Sequence, residues 1–103
     1  MIYKPLPDNL IIRSSNINGQ GLFAKQNIPA RESLGITHIK LEEKIIRTPL
    51  GGFINHSENP NCVKTPTLVT NTKNHNYKQW NLFTIKDIKK GEELTLKYSF
   101  YAV

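Results

Sequence analysis

Short apolar stretches that alternate with polar residues dominate the chain, and glycine, proline or asparagine interrupts most of them. β-Branched and aromatic residues recur in these stretches, whereas only three alanines occur, so the pattern favours strands over helices. We therefore predict a mainly β protein with few or short helices. The predicted strands are Leu10–Arg13, Gly21–Lys25, Leu34–Ile39, Gly52–Asn55, Leu68–Thr70, Gln79–Ile85 and Glu93–Tyr98.

A weak internal repeat relates Leu22–Leu34 to Leu82–Leu94, where Leu, Phe, Ile, Glu and Leu coincide without a gap. Each copy fits a strand, a turn and a returning strand, with an isolated isoleucine below the turn. Two similar hairpins would then build much of the sheet structure. A chance match between two hairpins explains the coincidence equally, so it carries no functional argument.

Residues 65–78 are rich in Thr, Asn, Lys and Pro and show no apolar period. This composition predicts a polar surface loop or hairpin tip. Its lysines leave two interpretations open, a solvated loop and a phosphate-binding loop.

The length of 103 residues predicts one domain over the whole chain, because domains commonly run from about 50 to 250 residues. No apolar run approaches the roughly 20 residues that cross a bilayer, so we expect no membrane partner. The first residues lack the apolar stretch of a secretory signal, and the single cysteine, Cys62, permits no intrachain disulfide. We expect an intracellular protein that is not secreted.

Three polar segments are the candidates for chemistry. In Asn55–Cys62, Asn, His and Ser follow one another before an Asn-Pro-Asn turn, which fits either a self-capped turn or a ligand-contacting loop. Asn18–Leu22 places two glycines before a strand, which fits a hairpin turn or a close approach to a ligand. Near the end of the chain, Glu92–Tyr101 is an alternating strand that runs into aromatic residues, which either seal the core or line a slot.

Metal and thiol chemistry have little support in the sequence. The spacings of His38, His56 and His75 match no zinc pattern, and no carboxylate cluster accompanies them. Cys62 stands beside a proline turn without a recognisable base. We therefore predict no metal site and no catalytic thiol.

The three segments GQGLFA, NHSENPNC and GEELTLKY, in this order, closely resemble the SET domain of protein lysine methyltransferases. The resemblance covers Leu10–Tyr101, and the chain looks like the minimal, free-standing SET domains met in viruses and bacteria. It implies several small β-sheets and a C-terminal pseudoknot, in which the Asn-His-Ser segment and the last strand pass through one another. For a viral protein, the cytoplasm or the host nucleus would be the compartment.

The same resemblance implies an S-adenosylmethionine-dependent transfer of a methyl group to a lysine side chain in a protein, with S-adenosylhomocysteine as product and no metal. The target would be a histone or another lysine-bearing protein. By position, Tyr98 would be the catalytic tyrosine, and Tyr98, Phe100 and Tyr101 would line the lysine channel. The cofactor would contact Asn18, Gly19, Gln20, Gly21, Leu22, Asn55 and His56.

The chain also departs from the family pattern. Lys97 stands where many relatives have Asp, and only about twenty residues, 35–54, separate the first hairpin from the Asn-His-Ser segment. Channel closure would then come from Phe100 and Tyr101, from a second copy in a homodimer, or from the substrate.

The net charge of +6, from 14 Lys and Arg against 8 Asp and Glu, limits the choice of substrate. Such a protein repels a basic partner at long range, unless acidic side chains gather at the peptide groove. The candidates for such a cluster are Glu42, Glu43, Glu58, Glu92 and Glu93. An acidic or a host-ribosomal partner fits the charge equally well.

The alternative function is a binding module, either a SET-like fold without turnover or a small basic domain that binds nucleic acid or protein. Nucleic acid is not the expected partner, because no basic stripe with interleaved aromatics extends beyond Lys73–Trp80.

Overall fold

The computed structural model describes residues 6–70 and 76–98, which form eight strands and one short helix. The elements are β1 (Leu10–Ser14), β2 (Gln20–Ala24), β3 (Ser33–Leu41), β4 (Lys44–Arg47), α1 (Pro49–Gly52), β5 (Asn55–His56), β6 (Cys62–Thr70), β7 (Asn76–Thr84) and β8 (Glu93–Leu96). The prediction of a mainly β protein with few helices is confirmed. In the described part of the chain, no helix has the length and apolar character needed to cross a membrane.

The strands form two four-stranded sheets. The first has the order β1-β2-β8-β5, and the second has the order β4-β3-β7-β6. All neighbouring strands are antiparallel except β5 and β8, which are parallel. The C-terminal strand β8 therefore lies inside the first sheet, between a strand from the start of the chain and one from its middle.

The internal repeat corresponds to a local pseudo-two-fold arrangement. Ile28 and Ile88, sixty residues apart, donate to each other's carbonyls at 2.7 and 2.8 Å. The Ala24 N–H donates to the Glu92 carbonyl at 3.0 Å, and the equivalent Thr84 N–H donates to the Glu32 carbonyl at 3.0 Å. Each copy does run strand, turn, strand, but its two strands lie in different sheets. The prediction of two separate hairpins is therefore wrong, because each strand pairs with the other copy.

The repeat also supplies much of the hydrophobic core. Leu22, Leu82, Ile28, Ile88 and Leu94 are at most 1% exposed. The isoleucines lie below the turns, where the sequence predicts them. Full burial of such a side chain contributes about 1.5 to 3 kcal/mol. Because the core contains residues from strands of both sheets, it packs the two sheets against each other.

The polar segment 65–78 belongs to a largely exposed hairpin, as one of the two alternatives predicted, but most of it is strand and not loop. β6 and β7 form a long antiparallel pair in unbroken register from Cys62 opposite Thr84 to Thr70 opposite Asn76. Much of β6 is exposed and lies at the sheet edge, where polar residues and Pro66 are tolerated. Such a strand shows no apolar alternation, and the tip, residues 71–75, lies outside the described residues.

The predicted strand at Gly52–Asn55 is also wrong. Only its two ends belong to elements, because α1 ends at Gly52 and β5 begins at Asn55. The Thr48 hydroxyl caps α1 by accepting from the Gly51 N–H at 3.4 Å. Proline at the first helical position suits this start, since its missing N–H is not needed there. The pattern also missed β4, because all four of its residues are exposed and only pairing with β3 makes it a strand.

Candidate functional site

The Asn-His-Ser motif and the C-terminal strand lie side by side. Asn55 stands opposite Thr95 and His56 opposite Leu96 in the parallel pair of β5 and β8. The Ser57 N–H continues this contact by donating to the Leu96 carbonyl at 3.1 Å. Two motifs that are about forty residues apart in sequence therefore occupy one place in the fold.

Asn61 strengthens this contact through its side chain. Its Nδ2 donates to the Glu93 carbonyl at 2.9 Å, and its Oδ1 accepts from the Thr95 N–H at 2.8 Å. A side-chain amide here takes the place of a neighbouring strand, because it offers one donor and one acceptor to the main chain of β8. The Asn-Pro-Asn turn thus holds the loop against the strand.

Asn55 connects the predicted cofactor-binding turn to the start of β8. Its Nδ2 donates to the Asn18 carbonyl at 3.1 Å, to the Gln20 carbonyl at 3.2 Å and to Glu93 Oε2 at 2.8 Å. The residue is only 8% exposed. With the amide nitrogen fully occupied, Oδ1 accepts no side-chain hydrogen bond within the described part of the chain.

Glu93 belongs to this site, although the sequence predicted it only as a possible acidic residue of the peptide groove and not as a partner of Asn55. The Ser15 hydroxyl contacts its two carboxylate oxygens at 2.8 and 2.9 Å. A Cβ at Gly21 would overlap Oε2 of the same carboxylate and would lie 3.1 Å from Asn55 Nδ2. The second glycine of the Gly-Gln-Gly turn is therefore required by the approach of Glu93 and Asn55.

The rest of the glycine turn divides into an open part and a core part. Gly19 has a φ of +46°, and a Cβ there would meet no atom within 4 Å. The Leu22 side chain is fully buried in the core. Of these two residues, Gly19 thus offers an open surface, whereas Leu22 can contribute through its main chain alone.

His56 contacts the predicted catalytic tyrosine. Its Nδ1 accepts from the Tyr98 N–H at 2.9 Å, so the ring carries its proton on Nε2, which lies 3.0 Å from Glu58 Oε1. The two rings meet edge to face with centroids 5.1 Å apart. Because both ring nitrogens are occupied, His56 positions Tyr98, and a bond from its ring to an adenine would require one of these partners to leave.

Glu58 and Lys97 form an exposed charge pair beside this contact. Lys97 Nζ lies 3.4 Å from Glu58 Oε2. The hydrogen bond from His56, followed by that from Lys97, lowers the pKa of Glu58. Lys97, at the position where relatives carry Asp, is thus paired with a carboxylate of the Asn-His-Ser loop.

The Tyr98 hydroxyl donates to the carbonyl of Ile54, the residue before Asn55, at 2.5 Å. Burial raises the pKa of Tyr98, and the nearby Arg47 acts in the opposite direction. The phenol is therefore held in its protonated form near neutral pH. Its oxygen keeps lone pairs that can accept hydrogen bonds, and the side chain is about half exposed, at 53%.

Several predicted residues lie outside the described part of the chain. Phe100, Tyr101 and His75 are among them, so their places in the lysine channel or elsewhere stay predictions, as does the pseudoknot. In residues 6–70 and 76–98, no group of three or more His, Cys, Asp or Glu side chains is arranged to hold a metal. Burial raises the pKa of the Cys62 thiol to about 12, which leaves it protonated and unreactive.

The five glutamates do not form an acidic cluster at Tyr98. Glu42 and Glu43 make the turn between β3 and β4, Glu92 accepts from the Lys89 N–H at 2.8 Å, and Glu93 is held by Ser15 and Asn55. Only Glu58 contacts a neighbour of Tyr98, and it is paired with Lys97.

Comparison with solved structures shows that this fold is shared. The chain is similar to the crystal structure of a Plasmodium falciparum protein described as a candidate histone methyltransferase, with a TM-score of 0.70. The two are 18% identical, and the match covers 91% of this chain and 96% of the other. At this identity, the likeness establishes the fold and not the activity.

The sequence itself matches a family model. No curated protein matches the chain, but the model of the SET domain matches residues 43–99. These residues are more than half of the chain, and they contain the Asn-His-Ser segment, the Gly-Glu-Glu sequence at residues 91–93 and Tyr98. The chain therefore belongs to the SET-domain family.

Proposed function

We propose that the protein is an S-adenosylmethionine-dependent protein lysine N-methyltransferase. The observation that carries the proposal is the junction of β5 and β8. There Asn55 contacts the glycine turn, and the Tyr98 hydroxyl donates to the carbonyl of Ile54, the residue before Asn55. A cofactor held by Asn55 would thus lie next to the tyrosine that orients the amine. Methyl transfer needs this proximity above all, because it is a displacement between aligned groups.

The residues present fit the cofactor. The Asn55 side chain lies next to the Asn18 and Gln20 carbonyls and the Glu93 carboxylate. This set of acceptors suits the ammonium of a methionine group, whose charge-assisted hydrogen bonds are strong. Gly19 leaves space at the turn for the ligand. Asn55, Glu93 and the main chain of residues 18–20 would therefore hold the amino end, and His56 would be next to the adenine.

When bound, S-adenosylmethionine supplies a methyl group on a sulfonium, and its transfer yields methyl-lysine, S-adenosylhomocysteine and one proton. Tyr98 orients the amine for this step. Its proton is directed to the Ile54 carbonyl, so its lone pairs accept N–H bonds from the lysine and leave the nitrogen lone pair free. A lysine amine has a reference pKa near 10.4. Desolvation beside Tyr98 favours the neutral, nucleophilic form.

The substrate class is a lysine-bearing protein. Histones, named in the description of the Plasmodium protein, are one candidate. A second copy of the chain, or Phe100 and Tyr101, would complete the groove, because the connection through residues 35–54 is short.

Cofactor binding tests the first half of the proposal. Calorimetry with S-adenosylhomocysteine should show one site on the wild-type protein, and Asn55→Ala should weaken binding at least tenfold, the loss expected for about 1.4 kcal/mol. Asn59→Ala is the matched control, because Asn59 is exposed and uses its main chain in the loop. Absence of binding to the wild-type protein would refute the proposal.

Transfer tests the second half. Tritiated S-adenosylmethionine and mixed protein lysates should yield labelled lysine. Tyr98→Phe removes the hydroxyl but keeps the ring on His56, and we expect a fall in kcat of about 100-fold with little change in cofactor affinity. Tyr77→Phe, on β7, is the control. Full activity of Tyr98→Phe would remove the catalytic assignment.

A further inference from the structure

Arg47 lies beside the tyrosine site. It ends strand β4 opposite His38, and its Nε is 3.6 Å from the position that a Cβ on Gly52 would occupy. The chain runs from Gly52 through Phe53 to Ile54, whose carbonyl accepts from Tyr98. The electrostatic effect of Arg47 on Tyr98 agrees with this placement. A guanidinium is therefore near the tyrosine at which the proposed substrate lysine would bind.

The guanidinium is available for a partner. Arg47 is exposed, and it forms no ion pair or side-chain hydrogen bond within the described residues. Guanidinium is a planar group with five donors that matches a carboxylate through two parallel hydrogen bonds. Exposed arginines are ordinarily only solvated. The position of Arg47 near Tyr98, and not its exposure, is the reason to assign it a binding role.

The surroundings of Arg47 are also positive. His38 and Trp80 follow Arg47 across the sheet in direct register, and Lys78 Nζ lies 5.1 Å from the Trp80 ring centroid. Lys64 lies on β6, close enough to His38 to help lower the pKa of that imidazole. We call Arg47, Lys64 and Lys78 the basic face.

We propose that Arg47 binds a carboxylate of the protein substrate, so that the enzyme prefers a lysine with acidic neighbours over one in a basic tail. This inference rests on the proposed function and names its substrate class. Complementary charge steers the substrate to the site and suppresses basic competitors. A basic partner would instead place like charges next to an arginine that has no internal counterion among the described residues.

Nucleic acid is the competing partner for a basic face. The structure favours protein because Trp80, the aromatic residue beneath Lys78, is only 8% exposed and so offers little surface for stacked bases. Arg47 is also close enough to Tyr98 to act on it electrostatically, and at Tyr98 a lysine and not a base is expected.

Matched peptides test the inference on the full chain. Three synthetic peptides share a central lysine in a Gly and Ser background and carry two Glu, two Gln or two Arg residues beside it. Binding is measured by fluorescence anisotropy, and methylation by transfer from labelled S-adenosylmethionine. The variants are Arg47→Gln and Arg47→Lys, with Lys86→Gln, an exposed residue in the turn after β7, as the charge-matched control.

We expect the wild-type protein to bind the Glu peptide about tenfold more tightly than the Gln peptide, and the Arg peptide least. Arg47→Gln should abolish this preference, Arg47→Lys should keep part of it, and Lys86→Gln should keep it fully. The same order should appear in kcat/KM.

The contrary outcomes are distinct. Equal binding of the three peptides, or a Glu preference that survives Arg47→Gln, overturns the inference, and methylation in that case leaves the proposed function intact. If no peptide and no lysate protein is methylated, the proposed function fails, whereas Arg47-dependent binding of the Glu peptide supports the acidic preference independently. An oligothymidylate that displaces the Glu peptide and is weakened by Arg47→Gln assigns the face to nucleic acid and overturns the inference.

Discussion

Replacement of Asn61 by alanine tests whether one side chain joins the Asn-His-Ser loop to the C-terminal strand. The change removes the acceptor of the Thr95 N–H and the donor to the Glu93 carbonyl. A buried polar group left without a partner costs about 1 to 3 kcal/mol. Thr95 is 8% exposed, and Glu93 is only half-buried, so water can partly satisfy its carbonyl. We expect Asn61→Ala to lower the free energy of unfolding by about 2 to 4 kcal/mol.

The measurement is thermal and urea unfolding followed by the fluorescence of Trp80, the single tryptophan, which is buried in the second sheet. For a chain of this length, the expected loss corresponds to a fall in Tm of about 10 to 20 °C. Asn59→Ala should change stability by less than about 0.5 kcal/mol, since Asn59 is exposed. If Asn61→Ala is as stable as this control, the amide does not join the two segments.

Two further predictions concern backbone strain and protonation. Arg31 has a φ of +65° where the second repeat copy has Gly91 at +91°, so Arg31→Gly should raise the unfolding free energy by up to about 1 kcal/mol and Gly91→Ala should lower it by about 1 to 2 kcal/mol. Changes of the same sign in calorimetric melts would contradict this. Burial, then Lys64 and Arg47, lower the pKa of His38 from 6.5 to about 4. The unfolded chain therefore binds the proton first, and stability should fall by up to about 3 kcal/mol as pH drops from 6.5 to 4. Urea titrations of His38→Gln should show a correspondingly flatter pH dependence, and an unchanged slope would refute the assignment.

The repeat illustrates how far an apolar pattern predicts a fold. The equivalence of Leu22 with Leu82 and of Ile28 with Ile88 is visible in the sequence, and all four side chains are buried. The partner of each strand is not visible, because a period of two residues specifies which face is apolar and not which strand is adjacent. The predicted hairpins pair the two strands within each copy, whereas in the fold β2 pairs with β8 and β3 pairs with β7.

The errors in the middle of the chain have a similar cause. Residues of β6 near the hairpin tip are exposed, so packing in the core does not require apolar side chains there. The four residues of α1 contain proline and two glycines, which have poor helix propensity. They are helical because Thr48 caps the turn and also donates to the Ile36 carbonyl at 2.6 Å. Both elements depend on neighbours that are distant in sequence.

The predicted site residues and the unexpected ones differ in the same way. Asn18, Asn55 and Tyr98 were identified through motifs in a fixed order. Glu93 was not assigned to the site, because its role depends on the absence of a side chain at Gly21, on a strand some seventy residues away. Such a pair has no local signature, since neither residue is unusual in its own strand.

The position of β8 explains why the candidate site is where it is. β8 lies between β2 and β5, so one of its edges faces the strand that follows the glycine turn and the other faces the Asn-His-Ser segment. Glu93 at its start contacts Asn55, and Tyr98 just beyond its end contacts His56. A strand that ended elsewhere would separate the two groups. The same pairing that completes the first sheet thus brings the proposed cofactor contacts and the tyrosine together, and a loss of β8 pairing should abolish both.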